Sequence, residues 1–314
     1  MGIFSAAESY EISGKVALVT GALGIIGTQI TSLFLELGAK VILVDVISDG
    51  SGEGKCSSLN SETDDEHGKR AIYIQADLRK PEEIRRILEE GHAQFGQIDI
   101  LVNNAGLALY KRYYVDEECD AISATIDLNL KTPMESTRLF VRMLRESGRE
   151  GVVVNMASIA GLSPVKYFET YGTTKTALMF FTKASEYLAP KIRVTAVAPF
   201  FVNSPMAFKD GKVDKIPFIN KHTLVSAKDV AHAVVKQVRD RSSGGKTNMV
   251  IGRWNSIPVW HFSASNVYLL FVVFFCWFVG IARSYLGLPS GSSFLSEEKS
   301  YRHAESAQSQ KKTE

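Results

Sequence analysis

Short runs of β-branched and apolar residues recur along most of the chain: Val16 to Thr20, Val41 to Asp45, Ile72 to Ala76, Ile98 to Asn103, Val152 to Met156, Ile192 to Ala198 and Met249 to Ile251. Between them the apolar positions take helical spacing. In 81–95, for example, Ile84, Ile87, Leu88 and Phe95 share one face, and Pro81 stands in the first turn, where its missing N–H costs nothing. Such alternation predicts an α/β fold, a doubly wound parallel sheet with helices on both faces. Two stretches read as loops, Ile47 to Lys69 and Phe200 to Val225. The second follows a strand at its carboxyl end, where ligands bind in such sheets, so it is either a lid or an inert surface loop.

The pattern breaks near the C-terminus. Between Arg253 and Arg283, 29 consecutive residues contain no Asp, Glu, Lys or Arg. The 20 residues Ser263 to Ala282, taken as a helix, span about 30 Å, the thickness of a bilayer's hydrocarbon core. Trp260, Phe262, Tyr268 and Tyr285 suit the two interfaces. The expectation is a catalytic domain over 1–255, a hydrophobic transmembrane segment over 256–289 with its core at 263–282, and a polar, disordered tail over 290–314. The alternative is an apolar arm that packs on a partner subunit. Met1 to Gly14 carries no signal-peptide pattern, so the catalytic part is expected to face the cytosol, with the endoplasmic reticulum as the expected membrane.

Composition narrows the function classes. The 36 basic and 34 acidic residues are well mixed, which argues against a nucleic-acid partner. Cys56, Cys119 and Cys276 are far apart and form no Cys-x-x-Cys pair, so no metal site is expected.

Two constellations carry chemistry. The first strand runs into Thr20, Gly21, Gly24, Ile25, Ile26 and Gly27 and then into a periodic helix. Glycines in that context let backbone approach a pyrophosphate, and the helix N-terminus offers free N–H donors. Asp45, ending the next strand 18 residues after Gly27, can accept hydrogen bonds from ribose hydroxyls and would repel a 2′-phosphate. The expected cofactor is therefore NAD, with NADP less favoured. The second constellation is Tyr171 and Lys175, four apart on one helix face, with Ser158 after a buried strand. An ammonium beside a phenol favours the phenolate and lowers its pKa, which suits proton exchange with an alcohol or carbonyl.

These residues together resemble a short-chain dehydrogenase/reductase over residues 10 to 252, a family whose domain is a single Rossmann fold. Asn103-Asn104-Ala105-Gly106 resembles the family's strand-four motif, Asn129 its active-site asparagine, and Ser158, Tyr171 and Lys175 the rest of its catalytic group. The resemblance implies Tyr171 as general acid/base, Ser158 bonded to the reacting oxygen, Lys175 on the nicotinamide ribose and Asn129 holding a relay water. It implies Asp77 at the adenine ring, Asn104 under the adenosine ribose, Ala105 and Gly106 also at the cofactor, and Val202 and Ser204 beside the carboxamide. The start of the chain, Asp45 and the stretch Asn155 to Gly161 are similar to NAD-dependent hydroxyprostaglandin dehydrogenases and related secondary-alcohol dehydrogenases. Two departures stand out. Ile25 replaces the usual middle glycine and Gly24 precedes it, a spacing that resembles the family's extended branch, and Phe200 stands where a glycine usually follows Pro199.

The expected function is thus a membrane-attached oxidoreductase moving a hydride between NAD and a secondary alcohol or ketone on an apolar substrate derived from a steroid, terpenoid, polyketide or fatty acid. Leu107, Leu109, Tyr167, Phe168, Phe200, Phe201, Met206 and Phe208 suit such a substrate. An NADPH-dependent ketone reductase and a non-catalytic dinucleotide-binding scaffold are the alternatives. The resemblance implies a homodimer or homotetramer, and Ala177, Leu178, Phe181 and Ala184 face either a partner or the sheet.

Overall fold

In a computed structural model, residues 9–62, 69–108, 120–165, 168–202, 224–251 and 255–259 are described. Seven parallel strands, β1 (Val16–Thr20), β2 (Lys40–Asp45), β3 (Ala71–Gln75), β4 (Ile100–Asn103), β5 (Gly151–Met156), β6 (Ile192–Pro199) and β7 (Thr247–Ile251), lie in the order 3-2-1-4-5-6-7. An eighth, β8 (Asn255–Val259), pairs antiparallel with β7. Every residue of β1, β4, β5 and β6 is buried, as expected of strands covered on both faces.

The connecting helices are α1 (Ile25–Glu36), α2 (Asp49–Glu62), α3 (Pro81–Phe95), α4 (Asp120–Ile126), α5 (Thr132–Glu146), α6 (Glu169–Ala184) and α7 (Ala227–Arg239). One apolar layer unites Ile30, Phe34 and Leu35 of α1, Cys56 and Leu59 of α2, and Val230 and Val234 of α7. A second, on the other face, unites Ile84, Ile87 and Leu88 of α3 with Leu139, Phe140 and Leu144 of α5. Each such buried aliphatic side chain contributes about 1.5–3 kcal/mol relative to exposure. The strand order reverses between β1 and β4, and this opens a crevice at the strands' carboxyl ends.

One expectation needs correction. The stretch Ile47 to Lys69 is not all loop, since 49–62 forms α2. Its Ser- and Gly-rich sequence has almost no apolar face, so periodicity misses it. Docking makes the helix: Cys56 and Leu59 bury into the layer below, and Gly52 lies so close to the Tyr73 ring that a Cβ there would come within 2.2 Å of it. Strand β8 belongs to the compact unit that ends at Val259. In the stretch Phe200 to Val225, Val202 bridges to Val225 and the Val225 N–H donates to the Phe201 carbonyl at 2.9 Å. The remainder, 203–223 with Ser204, Met206 and Phe208, lies outside the described residues. So do Leu109, Cys119, Tyr167, Cys276, the 263–282 segment and the 290–314 tail. Among the described residues no helix is long and apolar enough to cross a membrane.

Candidate active site

A cavity of about 730 Å³ occupies the crevice. One wall is built where β1 turns into α1. Gly21 adopts a left-handed φ of +61°, and a Cβ on it would meet the Ala105 backbone at 2.9 Å. A Cβ on Gly27 would lie 2.1 Å from the Gly21 carbonyl oxygen, so only glycine lets α1 start this close to the strand. No side chain caps α1, whose first N–H groups are left for an anion. Ile25 is accommodated as the first helical residue, with Gly24 ahead of it in extended backbone, and both line the cavity together with Ile26.

At the end of β2, Asp45 accepts hydrogen bonds from the Leu23 N–H at 2.9 Å and the Val46 N–H at 2.8 Å, which aim its carboxylate at the cavity. Asp77 also lines it, but Arg79 grips both carboxylate oxygens, Nε to Oδ1 at 2.8 Å and Nη2 to Oδ2 at 2.6 Å. Those bonds hold the Asp77 carboxyl below its usual range. Sequence reading missed Arg79, although its place two residues after the carboxylate was a usable signal.

Thr20 stands apart from this wall. It is buried, outside the cavity lining, and its hydroxyl accepts the Asn104 and Ala105 N–H groups at 3.0 Å each, tying β1 to the end of β4. Asn104 Nδ2 in turn donates to the Thr20 and Gly21 carbonyls. These residues shape the glycine turn from beneath, while Asn104, Ala105 and Gly106 reach the cavity.

The reacting end is assembled from β5 and α6. Ser158, just past β5, caps a 3-10 turn, Ile159–Gly161, by accepting the Ala160 N–H. Tyr171, Lys175 and Ser158 all line the cavity. The Lys175 Nζ donates to the Met156 carbonyl at 2.7 Å and sits 5.6 Å from the Tyr171 ring centroid. Asn129 lies in a π-helical turn, Asp127–Lys131, a kind of bulge frequent at functional sites. Its side chain is behind the cavity wall, accepting the Leu107 N–H at 2.8 Å and donating to the Leu107 carbonyl at 2.7 Å. A Cβ on Gly106 would come within 3.2 Å of Asn129 Oδ1 and 3.5 Å of Lys175 Nζ, so the three meet there.

The electrostatics differ from expectation. Burial raises the Tyr171 pKa, a hydrogen bond with Ser158 opposes it, and burial wins. Lys175 is itself desolvated, its pKa pushed down to about 8. The Lys175 ammonium therefore does not pull the phenol below its ordinary value in the ligand-free protein, because desolvation penalises both charged forms.

Two glycines that sequence reading passed over hold Ser158 against α6. A Cβ on Gly161 would come within 2.8 Å of the Lys175 backbone, and one on Gly172 within 2.8 Å of the Ala160 carbonyl oxygen. Gly161→Ala is expected to push the serine turn off the helix and lower turnover about tenfold or more, with dinucleotide affinity nearly unchanged, as steady-state kinetics and calorimetry would report.

The apolar side of the cavity is lined by Leu107, Ala108, Val165, Phe168, Phe200, Phe201 and Val202. Phe168 packs edge-on to Tyr171 at 6.1 Å, and Phe200 to Phe201 at 5.2 Å. On α6, Leu178 is buried, whereas Ala184 and Phe180 are exposed, Phe180 at 75%.

A parallel sheet with a dinucleotide-type glycine turn at one end of its crevice and a Ser-Tyr-Lys group at the other defines a nicotinamide-dependent oxidoreductase architecture. Residues 15–214 match the model of the short chain dehydrogenase family. The chain is 32% identical over 256 residues to the 3-oxoacyl-(acyl-carrier-protein) reductase FabG of Thermotoga maritima, covering 77% of this chain and 97% of that protein. It is 32% identical over 200 residues to the NAD(+) 15-hydroxyprostaglandin dehydrogenase of Homo sapiens, covering 62% and 70%. Among solved structures, a 3-ketoacyl-(acyl-carrier-protein) reductase from Brucella melitensis complexed with NADH superposes with a TM-score of 0.66 at 29% identity, covering 77% of this chain and 98% of that one. The chain belongs to the short-chain dehydrogenase/reductase family and is an oxidoreductase acting on hydroxyl or keto groups. The match to that family's model holds despite the glycine spacing of its extended branch.

Proposed function

We propose that the protein is an NAD-dependent dehydrogenase of a secondary hydroxyl on an apolar substrate, attached to a membrane through 263–282. The observation that carries this reading is the pairing, in one cavity, of Asp45 at one end with Ser158, Tyr171 and Lys175 at the other. NAD fits the residues present: α1 starts at the cavity with no side chain capping its first N–H groups, and Asp45 offers a carboxylate for ribose hydroxyls. Gly21, Gly24, Ile25, Ile26 and Gly27 would hold the pyrophosphate, Asp45 and Asn104 the adenosine ribose, Asp77 the adenine, and Val202 and Ser204 the carboxamide. When bound, the cofactor supplies a hydride acceptor. Tyr171 takes the hydroxyl proton, Ser158 hydrogen-bonds the reacting oxygen, and Lys175 bonds the nicotinamide ribose and carries the proton onward. Asn129 fixes the Leu107 backbone and orients the relay.

The Asp45 carboxylate favours NAD. Unit charges of like sign 4 Å apart repel by about 4 kcal/mol at an effective dielectric of 20, so NAD(+) should bind at least about 100-fold tighter than NADP(+). Calorimetry on the full chain tests this. Asp45→Ala should weaken NAD(+) and tighten NADP(+), and a wild-type preference for NADP(+) would overturn the assignment. A second reading, a ketone reductase, draws on the likeness to FabG, which spans nearly all of that reductase.

The apolar substrate rests on the Phe168, Phe200 and Phe201 wall, and membrane attachment on the charge-free 29-residue stretch. Residence at the endoplasmic reticulum with the catalytic unit toward the cytosol is checked by carbonate extraction and protease protection of microsomes. A homo-oligomeric assembly is checked by light scattering in detergent.

A further inference from the structure

Helix α6 packs on the sheet mainly through apolar contacts, with Met179 against Ala157, Ala196 and Ala198. Such contacts are non-directional and do not by themselves set where along its axis a helix sits. Its polar contacts do, because a hydrogen bond tolerates only a few tenths of an ångström. Two are the Lys175–Met156 bond itself and the bond from the Thr176 hydroxyl to the Gly161 carbonyl at 2.7 Å. A weaker one runs from Asn129 Nδ2 to the Thr174 hydroxyl at 3.4 Å. Another lies far from the cavity: Asn155 Nδ2 donates to the Thr182 hydroxyl at 3.0 Å, and that hydroxyl donates to the Leu178 carbonyl at 2.9 Å.

The Asn155–Thr182 contact ends a buried chain. Ser136 of α5 donates to Asn103 Oδ1 at 2.8 Å, Asn103 Nδ2 donates to Asn155 Oδ1 at 2.9 Å, and Asn155 passes the chain to Thr182. Asn103 and Asn155 are register partners on β4 and β5. Asn155 and Thr182 are fully buried, and neither lines the cavity. Thr182 follows Lys175 by seven residues and Tyr171 by eleven, about two and three helical turns, so all three lie on one stripe of a rigid rod.

We propose that Asn155 and Thr182 are positioning residues for the reaction: their bond fixes the axial register of α6 against β5, and so holds Tyr171 and Lys175 in place beside Ser158. This is the device by which a single buried asparagine fixes register in a coiled coil, applied to a helix on a sheet. The inference rests on the acid/base reading of Tyr171.

The test uses the full chain with Thr182→Val, which keeps the shape and removes the hydroxyl. Thr182→Ala leaves space for a water beside the Asn155 amide should the valine variant fail to fold, and Thr182→Ser restores the hydroxyl. The readouts are kcat and KM with a secondary alcohol, NAD(+) affinity by calorimetry, and the titration of Lys175 in ε-13C-lysine-labelled apoprotein, its signal assigned by loss in Lys175→Arg. Thr182→Val, or the alanine variant in its place, should lower kcat about 10- to 100-fold with KM and NAD(+) affinity changed less than about threefold. It should also move the Lys175 titration midpoint, and Thr182→Ser should return both to near wild type. A folded variant with reduced thermal stability but unchanged kcat and Lys175 titration would overturn the proposal and leave Thr182 a packing residue. Should wild type turn over no alcohol or ketone, the reading of Tyr171 fails, and the Lys175 titration alone then decides whether the register lock exists.

Discussion

Tyr171→Phe is expected to cut turnover by about 10³-fold, the middle of the range for loss of a positioned general acid/base, while NAD(+) affinity changes by less than about threefold. The ring keeps its packing against Phe168, so only the phenolic oxygen is lost. Because burial holds the Tyr171 pKa up, the phenolate is the scarce form at neutral pH. Alcohol oxidation needs the deprotonated form and should accelerate as pH rises, whereas ketone reduction needs the proton and should slow. Lys175, pushed down to about 8, titrates across part of the same range, so the profile reports the pair and not either residue alone. Kinetics of both directions between pH 6 and 10 in wild type and Tyr171→Phe provide the check. A variant keeping more than about a tenth of wild-type turnover would remove Tyr171 from the chemistry.

Gly27→Ala is expected to weaken NAD(+) binding at least about 100-fold, or about 2.7 kcal/mol. A Cβ there would stand 2.1 Å from the Gly21 carbonyl oxygen and 2.8 Å from the Ala22 Cα, both backbone atoms that cannot swing aside. The turn and α1 must separate, at an overpacking cost of about 1–3 kcal/mol in stability, and the anion site at the helix start moves with them. Gly24→Ala is the internal comparison. Its Cβ would meet the Gly21 oxygen at 3.3 Å, a contact relieved by a small shift, so its effect should be about tenfold at most. Calorimetry and thermal melts of both variants separate the two cases, and a Gly27→Ala protein that binds NAD(+) like wild type would mean the dinucleotide does not lie on this turn.

Much of this architecture is written locally. The central strands β1, β4, β5 and β6 announce themselves as apolar, β-branched runs because both faces are buried, and α3 does so because its outer face is wet. The glycine turn and the Tyr171–Lys175 spacing are legible for a similar reason: backbone clearance and helical periodicity act within a few residues. What stayed hidden depends on contacts between distant segments. Helix α2 has no apolar stripe of its own and forms against Tyr73. Strand β8 is defined by its pairing with β7. Thr20 reads as part of the dinucleotide motif, yet its hydroxyl is spent on β4. The pKa shifts of Tyr171 and Lys175 follow from burial, which a four-residue spacing does not encode. Gly161 and Gly172 look like ordinary loop and helix glycines until Ser158 and α6 are seen pressed together.

On the proposed function, this cavity moves a hydride between NAD and a secondary carbon bearing oxygen, with Tyr171 handling the proton. The most direct test incubates the full-length protein with NAD(+) and an apolar secondary alcohol deuterated at the carbinol carbon, and follows the reduced cofactor by absorbance and mass. Reduced cofactor carrying one deuterium is expected, formed in proportion to ketone and lost in Tyr171→Phe. Reduced cofactor without deuterium, or undiminished deuterium transfer by the Tyr171→Phe variant, would contradict it.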